Sequence, residues 1–365
     1  MTNKVLILGG SGRIGGSVAE DIHRYTPAQI TITGRKFEID HNHDFTYLSL
    51  DLDDIQTLNQ AIAESNLVIH CAGPFHFRDT QVLEACIKFG VNYLDVSDHR
   101  SYTAKALKLN NLAQTAGITA IINTGIFPGI SNSMVRQCVE ALDEPETIHL
   151  SYVVSGSGGA GVTVMRTTFL GLQNPFAALI NGEWQQIKPY TQREIIDFPL
   201  PYGRCGVYWY DMPETFTLPA TFPTVKTTIT KFGSLPDYYN HLTWITAHVF
   251  PKFWIKSQVG MEFLSQVSHI MTDVTDRFTG IGVSVRASVT GKKNNITKTI
   301  CSTFTHANTA IAAGCGTGSI AQLLLSGELH KPGVHPPEAA LPTDLFTKMM
   351  EQRGMQTHII SDFGF

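Results

Sequence analysis

Apolar and polar positions alternate over the first third of the chain in a pattern that predicts strands and helices in turn. A short apolar run ending at Leu8 is followed by a helical pattern over 14–23, and a second apolar run, 29–33, completes a βαβ unit. Further strands are predicted at 47–51, 67–71, 93–96 and 119–122, with helices between them, the last of which spans 102–116. Because such alternation is typical of a doubly wound parallel sheet, the predicted fold class is α/β with an N-terminal Rossmann domain.

The pattern changes after residue 130. It predicts helices at 131–142 and 163–172, a strand at 149–155, and an antiparallel hairpin formed by 282–290 and 297–306. An alanine- and glycine-rich stretch, 309–325, predicts a closely packed helix, and a last helix at 343–353 precedes an edge strand at 358–361. Because 365 residues exceed the usual size of one compact unit, the chain is expected to form two domains, or one domain with a large insertion.

The first strand leads into three glycines spaced as Gly10-x-Gly12-x-x-Gly15, which is the fingerprint of a dinucleotide site. Gly10 permits the tight turn, Gly12 leaves room for the pyrophosphate, and Gly15 lets the helix pack close to the sheet. The other residues of this loop are Ser11, Arg13 and Ile14. The N–H groups at the start of the helix are expected to face the phosphates.

The residues after the second strand predict which dinucleotide binds. An NAD site has a carboxylate there for the ribose 2′-hydroxyl, whereas this chain has Gly34, Arg35 and Lys36. The planar guanidinium of Arg35 suits a 2′-phosphate, and Lys36 adds a second positive charge. NADP is therefore predicted over NAD; the alternative is that Arg35 only stacks on the adenine.

Composition and charge exclude several classes of function. A net charge of −4 without a basic cluster argues against a nucleic-acid binder. The N-terminal apolar run is too short for a signal peptide, and the longest suspect membrane segment, 241–255, is too short and too polar to span. The six cysteines show neither a Cys-x-x-Cys pair nor zinc spacing, so we expect a reduced, cytoplasmic protein without a metal site.

The glycine fingerprint stands first in a series of motifs that follow one another in a fixed order. They are Gly-Gly-Ser-Gly-Arg-Ile-Gly at 9–15, Thr-Gly-Arg at 33–35, Leu-Asp-Leu-Asp at 50–53, Cys-Ala-Gly-Pro-Phe at 71–75, Asn-Tyr-Leu-Asp-Val-Ser-Asp at 92–98 and Gly-Ile-Phe-Pro-Gly-Ile-Ser-Asn at 125–132. In this order the motifs resemble those of the saccharopine dehydrogenase-like family. The segment 325–338 is also similar to the end of that family's chains.

The resemblance implies a domain organisation and an activity. A Rossmann domain would span 1–130, an inserted α+β substrate and dimerisation domain 131–325, and a C-terminal segment, 326–365, would pack back on the first domain. The implied activity is an NAD(P)-dependent oxidoreductase that transfers hydride at a C=N/C–N or C=O/C–OH centre of a small metabolite, often an amino acid or imine. The implied assembly is a homodimer.

Cofactor residues carry over by position from the same resemblance. The loop from Gly10 to Gly15 would hold the pyrophosphate and Arg35 the 2′-phosphate. The adenine edge would contact Asp51 and Leu52, and the nicotinamide ribose would contact Ala72, Gly73, Pro74 and Phe75, which follow Cys71.

Catalytic residues are expected at the carboxyl ends of the strands, where ligands of doubly wound sheets bind. Asp98 is the first candidate for proton exchange with the substrate and His76 the second, whereas Asp95 is expected to cap a turn and His99 to lie at the surface. An extended short-chain dehydrogenase would instead need a Tyr-x-x-x-Lys pair, and no tyrosine of this chain has a lysine four residues later.

Several alternatives stay open at this point. Arg78, Arg100 or Arg166 would bind a substrate carboxylate or form ordinary salt bridges, and the glycine-rich 156–161 is either a second anion site or a turn. The aromatic-rich region 198–254 is core or interface, or it lines a cleft for a bulky apolar substrate. The alternative to an enzyme is a non-catalytic protein that binds NADP as a structural or sensory ligand.

Overall fold

The computed structural model describes residues 2–34, 44–156 and 162–361. Its strands are β1 (Lys4–Leu8), β2 (Gln29–Gly34), β3 (Thr46–Ser49), β4 (Leu67–His70), β5 (Asn92–Asp95), β6 (Thr119–Ile121), β7 (Glu144–Ser155), β8 (Phe176–Ile180), β9 (Glu183–Ile187), β10 (Glu194–Phe198), β11 (Gly203–Trp209), β12 (Thr227–Leu235), β13 (Gly282–Lys293), β14 (Ile296–His306), β15 (Gly333–His335) and β16 (Thr357–Ser361). Its helices are α1 (Arg13–Tyr25), α2 (Ile55–Ala63), α3 (Gln81–Phe89), α4 (Arg100–Leu107), α5 (Asn110–Ala116), α6 (Ile130–Glu140), α7 (Val162–Leu170), α8 (Glu214–Thr221), α9 (Tyr238–His248), α10 (Lys252–Lys256), α11 (Gln258–Thr279), α12 (Thr309–Ser326), α13 (Pro337–Ala340) and α14 (Thr343–Gln352).

Seven parallel strands form the first sheet, in the order β15-β6-β5-β4-β1-β2-β3. The four residues of β4 and the last four of β1 are buried, as expected for central strands of a sheet whose connecting helices cover both faces. The strand order reverses beside β1, which is the arrangement of a Rossmann sheet with β15 added at one edge. The predicted α/β fold class is confirmed.

The chain divides into two compact units. One contains the residues up to Ile130 together with Ala310–Arg353, and the other contains Ser131–Thr309 together with the segment that starts at Gly354. The later bounds differ from those predicted, because α12 groups with the first unit and β16 pairs with β14 in the second.

Close packing explains why α12 belongs to the first unit. A Cβ added to Gly314 would lie 2.7 Å from the Ser17 backbone, and one added to Gly318 would overlap the carboxylate of Asp21, so α12 approaches α1 through the glycines of α12. Asp21 and Arg353 form a buried ion pair with Nη2–Oδ1 at 2.7 Å, which ties α1 to the end of α14.

A further point about α12 concerns membranes. Among the described residues it is the helix long and apolar enough to cross one, and 72% of it is buried in the structure. In the sequence, the longest candidate for a membrane segment is 241–255, which is too short and too polar to span. The structure divides this segment between α9 and α10. The apolar face of α12 is therefore accounted for by packing in the first unit.

The second unit is built on a mixed sheet of seven strands, in the order β10-β11-β12-β7-β13-β14-β16, with a separate hairpin of β8 and β9. β13 and β14 extend the predicted hairpin to a two-residue turn at Asn294 and Asn295, whose φ angles are 51° and 61°. Asparagine tolerates this left-handed conformation, which matches the twist of paired strands.

Many aromatic residues of the second unit are core residues. Tyr190 stacks on Tyr208 with ring centroids 4.5 Å apart, and Trp209 packs on Phe176 at 6.2 Å. Buried Lys231 lies 5.6 Å from the Trp209 ring and donates to Glu194 Oε1 at 2.6 Å. The aromatic-rich stretch thus contributes to a core around this lysine.

One predicted helix is divided in two. The helix expected at 102–116 is broken after Leu107 and resumes at Asn110. At the break, Leu109 N–H bonds to Ala106 O, three residues back, and Asn110 Oδ1 accepts from the backbone N–H of Val334 in β15. The break therefore places Asn110 where its side chain binds the backbone of the edge strand β15.

Candidate active site

The loop after β1 is held against two neighbouring strands. Gly9 adopts φ 77°, its N–H donates to Thr33 Oγ1 at 3.1 Å, and Ser11 N–H donates to Thr33 O at 3.2 Å. A Cβ on Gly9 would lie 2.9 Å from the backbone of Ala72, in the loop after β4. No role for Gly9 is predicted from the sequence, although the Gly9-Gly10 doublet after a strand is the signal that identifies it.

The three fingerprint glycines create space for close backbone approach. A Cβ on Gly10 would lie 2.6 Å from Ile32 Cβ, and one on Gly15 would overlap the carbonyl oxygen of Gly9. Helix α1 begins after Gly12, which caps it without a side-chain hydrogen bond. Since the first N–H groups of a helix lack intrahelical acceptors, this cradle fits the pyrophosphate of a dinucleotide.

The ends of β2 and β3 meet the same loop. A Cβ on Gly34 would overlap Ser11 Oγ, and Gly34 O accepts from Leu50 N–H at 3.2 Å. Asp51 is exposed and accepts from Asp53 N–H at 3.1 Å, while half-buried Leu52 follows it. Arg35 and Lys36, the residues predicted to select NADP, lie outside the described residues.

The loop after β4 contains a cis peptide bond between Gly73 and Pro74 and a short 3₁₀ turn at Phe75–Phe77. The Phe75 ring is buried 4.9 Å from the His70 ring, so this side chain lies in the core and its backbone is the part left for a cofactor. His70 Nδ1 accepts from Ala72 N–H at 3.3 Å, and burial lowers the pKa of His70 to about 3.

Two other ionisable groups lie in this region, half-buried Cys71 and buried Asp95. Burial raises the pKa of the Cys71 thiol, with Asp95 adding to the effect, so Cys71 is not a thiolate. Asp95 Oδ1 accepts from Ser97 N–H at 3.0 Å, from Ser97 Oγ at 2.6 Å and from Asn123 N–H at 2.8 Å. Burial also raises the pKa of Asp95. This aspartate caps the turn after β5, in agreement with its predicted role.

The structure brings His76 and His99 together. His76 Nδ1 lies 3.0 Å from His99 Nε2, with the rings inclined at 76°, and His99 Nδ1 lies 2.9 Å from Ser101 Oγ. Burial lowers the pKa of His76, and burial together with the neighbouring His76 lowers the pKa of His99 to about 4. His99 is half-buried, so its predicted surface position is wrong; Asp98, beside it, is also half-buried.

Arg78 is held by its own loop. Its Nε–H donates to Ala72 O at 2.9 Å, and within the described part of the chain no carboxylate pairs with its guanidinium. The two terminal nitrogens therefore remain available as a fork. Arg166, by contrast, makes two bonds to Glu262, at 2.7 and 2.6 Å, in the second unit. That ion pair contradicts a role for Arg166 in binding a substrate carboxylate.

A family model described as the saccharopine dehydrogenase NADP binding domain matches residues 5–121. The matched stretch contains the glycine loop and the loops after β4 and β5. The match confirms the resemblance drawn from the sequence motifs and confirms that this domain is of the NADP-binding kind.

Two curated relatives are similar over part of their length. The chain is 26% identical over 212 residues to carboxynorspermidine synthase of Vibrio cholerae, which covers 54% of this chain and 50% of that protein. It is 28% identical over 155 residues to the mitochondrial alpha-aminoadipic semialdehyde synthase of Mus musculus, which covers 41% of this chain and 16% of that protein. The chain thus spans about half the length of the first relative and less of the second.

Solved structures share the fold at low sequence identity. Apo saccharopine dehydrogenase (L-Glu forming) from Saccharomyces cerevisiae superposes with a TM-score of 0.70 at 14% identity, covering 99% of this chain and 100% of that one. DAP dehydrogenase of C. glutamicum, in complex with DAP, superposes with a TM-score of 0.51 at 14% identity, covering 97% and 99%. The chain is thus similar to the saccharopine dehydrogenase family in its NADP-binding domain, and it shares the fold of a solved saccharopine dehydrogenase.

Proposed function

We propose that the protein is an NADP-dependent oxidoreductase that transfers hydride at a C–N or C=N centre of an amino acid or imine. The observation that carries the proposal is the glycine cradle between β1 and α1, where Gly15 cannot hold a side chain without overlapping Gly9. The relatives named for amino-acid and carboxynorspermidine chemistry support the substrate class. Since the alignments cover only part of those proteins, the activity of this chain is inferred.

NADP, when bound, supplies the hydride donor or acceptor at its nicotinamide ring. The residues proposed to hold it are Gly10, Ser11, Gly12, Arg13, Ile14 and Gly15 at the pyrophosphate; Gly34, Arg35 and Lys36 at the 2′-phosphate; Asp51 and Leu52 at the adenine edge; and Cys71, Ala72, Gly73, Pro74 and Phe75 at the nicotinamide ribose. The contacts among the loops after β1, β2 and β4 support this assignment.

Arg78 is the residue proposed to bind a substrate carboxylate. Its Nε is used by Ala72 O, which fixes the plane of the guanidinium and leaves Nη1 and Nη2 for a two-point contact. It lies two residues after His76, so a substrate bound by the fork would come close to a ring that can exchange a proton. His76 and Asp98 are proposed as the proton-exchanging groups.

The cofactor assignment is tested by titrating the purified protein with NADPH and NADH and following nicotinamide fluorescence. Arg35→Ala is expected to weaken NADPH binding and leave NADH binding nearly unchanged, because only NADPH carries the 2′-phosphate. A lost charge-assisted contact of this kind corresponds to about 1.5–3 kcal/mol, or roughly a ten- to hundredfold rise in Kd.

Two neighbouring glycines give a matched control. Gly15→Ala is expected to abolish binding of both nucleotides, since its Cβ would displace the Gly9 carbonyl. Gly16→Ala, whose Cβ would meet Gly10 O at an ordinary 3.5 Å, is expected to bind like the wild type. Failure of the wild type to bind either nucleotide would sink the oxidoreductase proposal.

Localisation and assembly also remain proposals. We infer a cytoplasmic protein, supported by the six cysteines, all of which are free in the structure. We infer a homodimer, supported by exposed apolar side chains along α11 at Val259, Phe263, Ile270 and Val274. A sensor that binds NADP without turnover is the second candidate, and NADPH binding without oxidation of the bound cofactor by any imine or ketone would favour it.

A further inference from the structure

Three side chains form a hydrogen-bonded row beside the proposed substrate position. His76 Nδ1 lies 3.0 Å from His99 Nε2, and His99 Nδ1 lies 2.9 Å from Ser101 Oγ. The row joins two neighbouring strand ends, because His76 follows β4 and His99 follows β5, and these strands pair in the sheet. Both rings are half-buried and Ser101 is exposed, so the row leads from the strand-end loops to solvent.

The chemistry of the row allows two arrangements of its protons. An N–H···N bond between imidazoles holds one proton, so two neutral rings must take matched tautomers. In the first arrangement Ser101 donates to His99, His99 donates to His76, and His76 carries its proton on Nε2. In the second arrangement His76 Nδ1 donates to His99 Nε2, and His99 Nδ1 donates to Ser101 Oγ. His76 Nε2 then carries no proton. Burial, which lowers the pKa of both rings, keeps them neutral at neutral pH.

We propose that His99 and Ser101 are positioning residues that set the tautomer of His76, so that its Nε2 either gives a proton to the substrate or takes one from it. Among the described residues nothing bonds to His76 Nε2, which leaves this nitrogen for a substrate. The inference rests on the proposed function, because it assigns His76 to the proton-exchange step.

The protons balance in each direction. When an amine is oxidised, its C–H bond gives a hydride to NADP⁺ and its nitrogen gives a proton to His76 Nε2. The proton on His76 Nδ1 passes to His99 Nε2, and the proton on His99 Nδ1 passes to Ser101, whose hydroxyl releases one to water. Both rings stay neutral, and one proton has left. Reduction of an imine runs the same transfers backwards, and exchange with water at both ends resets the row.

The test uses the whole protein, without substrate, with ¹⁵N-labelled histidine and long-range ¹H–¹⁵N spectra; His76→Gln assigns the His76 signals. Ser101→Asp replaces a hydroxyl, which can donate or accept a hydrogen bond, with a carboxylate. At about pH 8 the carboxylate is ionised and can only accept. His99 must then carry its proton on Nδ1, and His76 must carry its own on Nδ1. The expected result is a ¹⁵N chemical shift of His76 Nε2 at or near the value of an unprotonated ring nitrogen.

The control replaces His99, the central residue of the row, with a side chain that cannot relay the hydrogen bonds. In a His99→Phe, Ser101→Asp double variant the His76 shift is expected to vanish, because phenylalanine has no side-chain hydrogen-bond donor or acceptor that could link residue 101 to His76. A His76 Nε2 that stays protonated in Ser101→Asp, or an equal shift in the double variant, would overturn the inference. The titration with NADPH is independent of these spectra: a protein that binds NADPH but transmits no shift overturns only the row, whereas failure to bind NADPH overturns the proposed function.

Discussion

Several ionisable side chains around the strand ends favour their neutral forms, and the guanidinium of Arg78 lies in the same loops. Histidines 70, 76 and 99 have pKa values lowered by burial, and Asp95 and Cys71 have raised ones, so the ionisable groups of these loops tend toward their uncharged forms. Arg78 contributes a guanidinium group, and among the described residues its Nε is the donor that is already in use. A bound carboxylate would therefore meet the Arg78 guanidinium beside several groups that favour their neutral forms.

Arg78→Gln is expected to raise the KM for an amino-acid substrate roughly ten- to hundredfold with a smaller change in kcat, because the charge-assisted fork is lost in the ground state and transition state alike. The assay is reduction of NADP⁺ by a panel of amino acids. Arg166→Gln is the matched control, since Glu262 already engages Arg166, and its KM is expected to stay unchanged. Equal turnover of an amine that lacks the carboxylate would contradict the assignment.

The sequence predicted the fingerprint glycines, but not the row formed by His76, His99 and Ser101. The glycines follow one another within six positions, so their spacing alone carries the information. The two histidines are 23 residues apart and meet because β4 and β5 are neighbours, which the sequence does not state. The anchoring of Arg78 likewise depends on a backbone carbonyl, which leaves no trace in residue types.

Helices and strands followed the hydrophobic periods closely over the first 172 residues, apart from one break, whereas β8 to β12 and α8 to α11 were not predicted. Helix α1 and the β13–β14 hairpin were predicted because their patterns are local. The break between α4 and α5 was missed because it depends on Asn110 and Val334, which are 224 positions apart. Tertiary contacts of this kind override a local helical pattern.

The contact of α12 with α1 gives a test at the scale of elements. Gly318→Ala is expected to lower the free energy of unfolding by about 1–3 kcal/mol, because the new Cβ overlaps the Asp21 carboxylate that binds Arg353. Urea unfolding measures the change. Ile311→Ala, at a position of the same helix that is 48% exposed, is the control and is expected to change stability by less. Equal effects would show that the glycine packing does not matter.

At the scale of the whole molecule, each unit contains a histidine that favours the neutral form, buried His70 in the first and half-buried His149 in the second. Burial lowers the pKa of His70 to about 3 in the first unit and that of His149 to about 4 in the second. Unfolded histidine titrates near 6.5, so each group contributes stability that is present above that pH and is lost as the pH falls toward the folded value.

We therefore expect the free energy of unfolding to fall between about pH 7.5 and pH 5, with His70 contributing about 2 kcal/mol of that loss. His70→Asn keeps an acceptor for the Ala72 N–H but cannot be protonated, so its stability is expected to depend less on pH. Urea unfolding of both proteins at the two pH values makes the comparison. An identical pH dependence would exclude His70 as a source.

The edge strand β15 has a consequence for the protein during its synthesis. It pairs with β6, yet roughly 200 residues separate the two strands, which a ribosome needs roughly 10–40 s to translate. Until then the nascent first unit has an unpaired edge at β6 and an α1 without the cover of α12. Exposed strand edges recruit other chains. The unit that emerges first is thus completed only near the end of synthesis, so a chaperone that covers the β6 edge in the meantime would protect it from other chains.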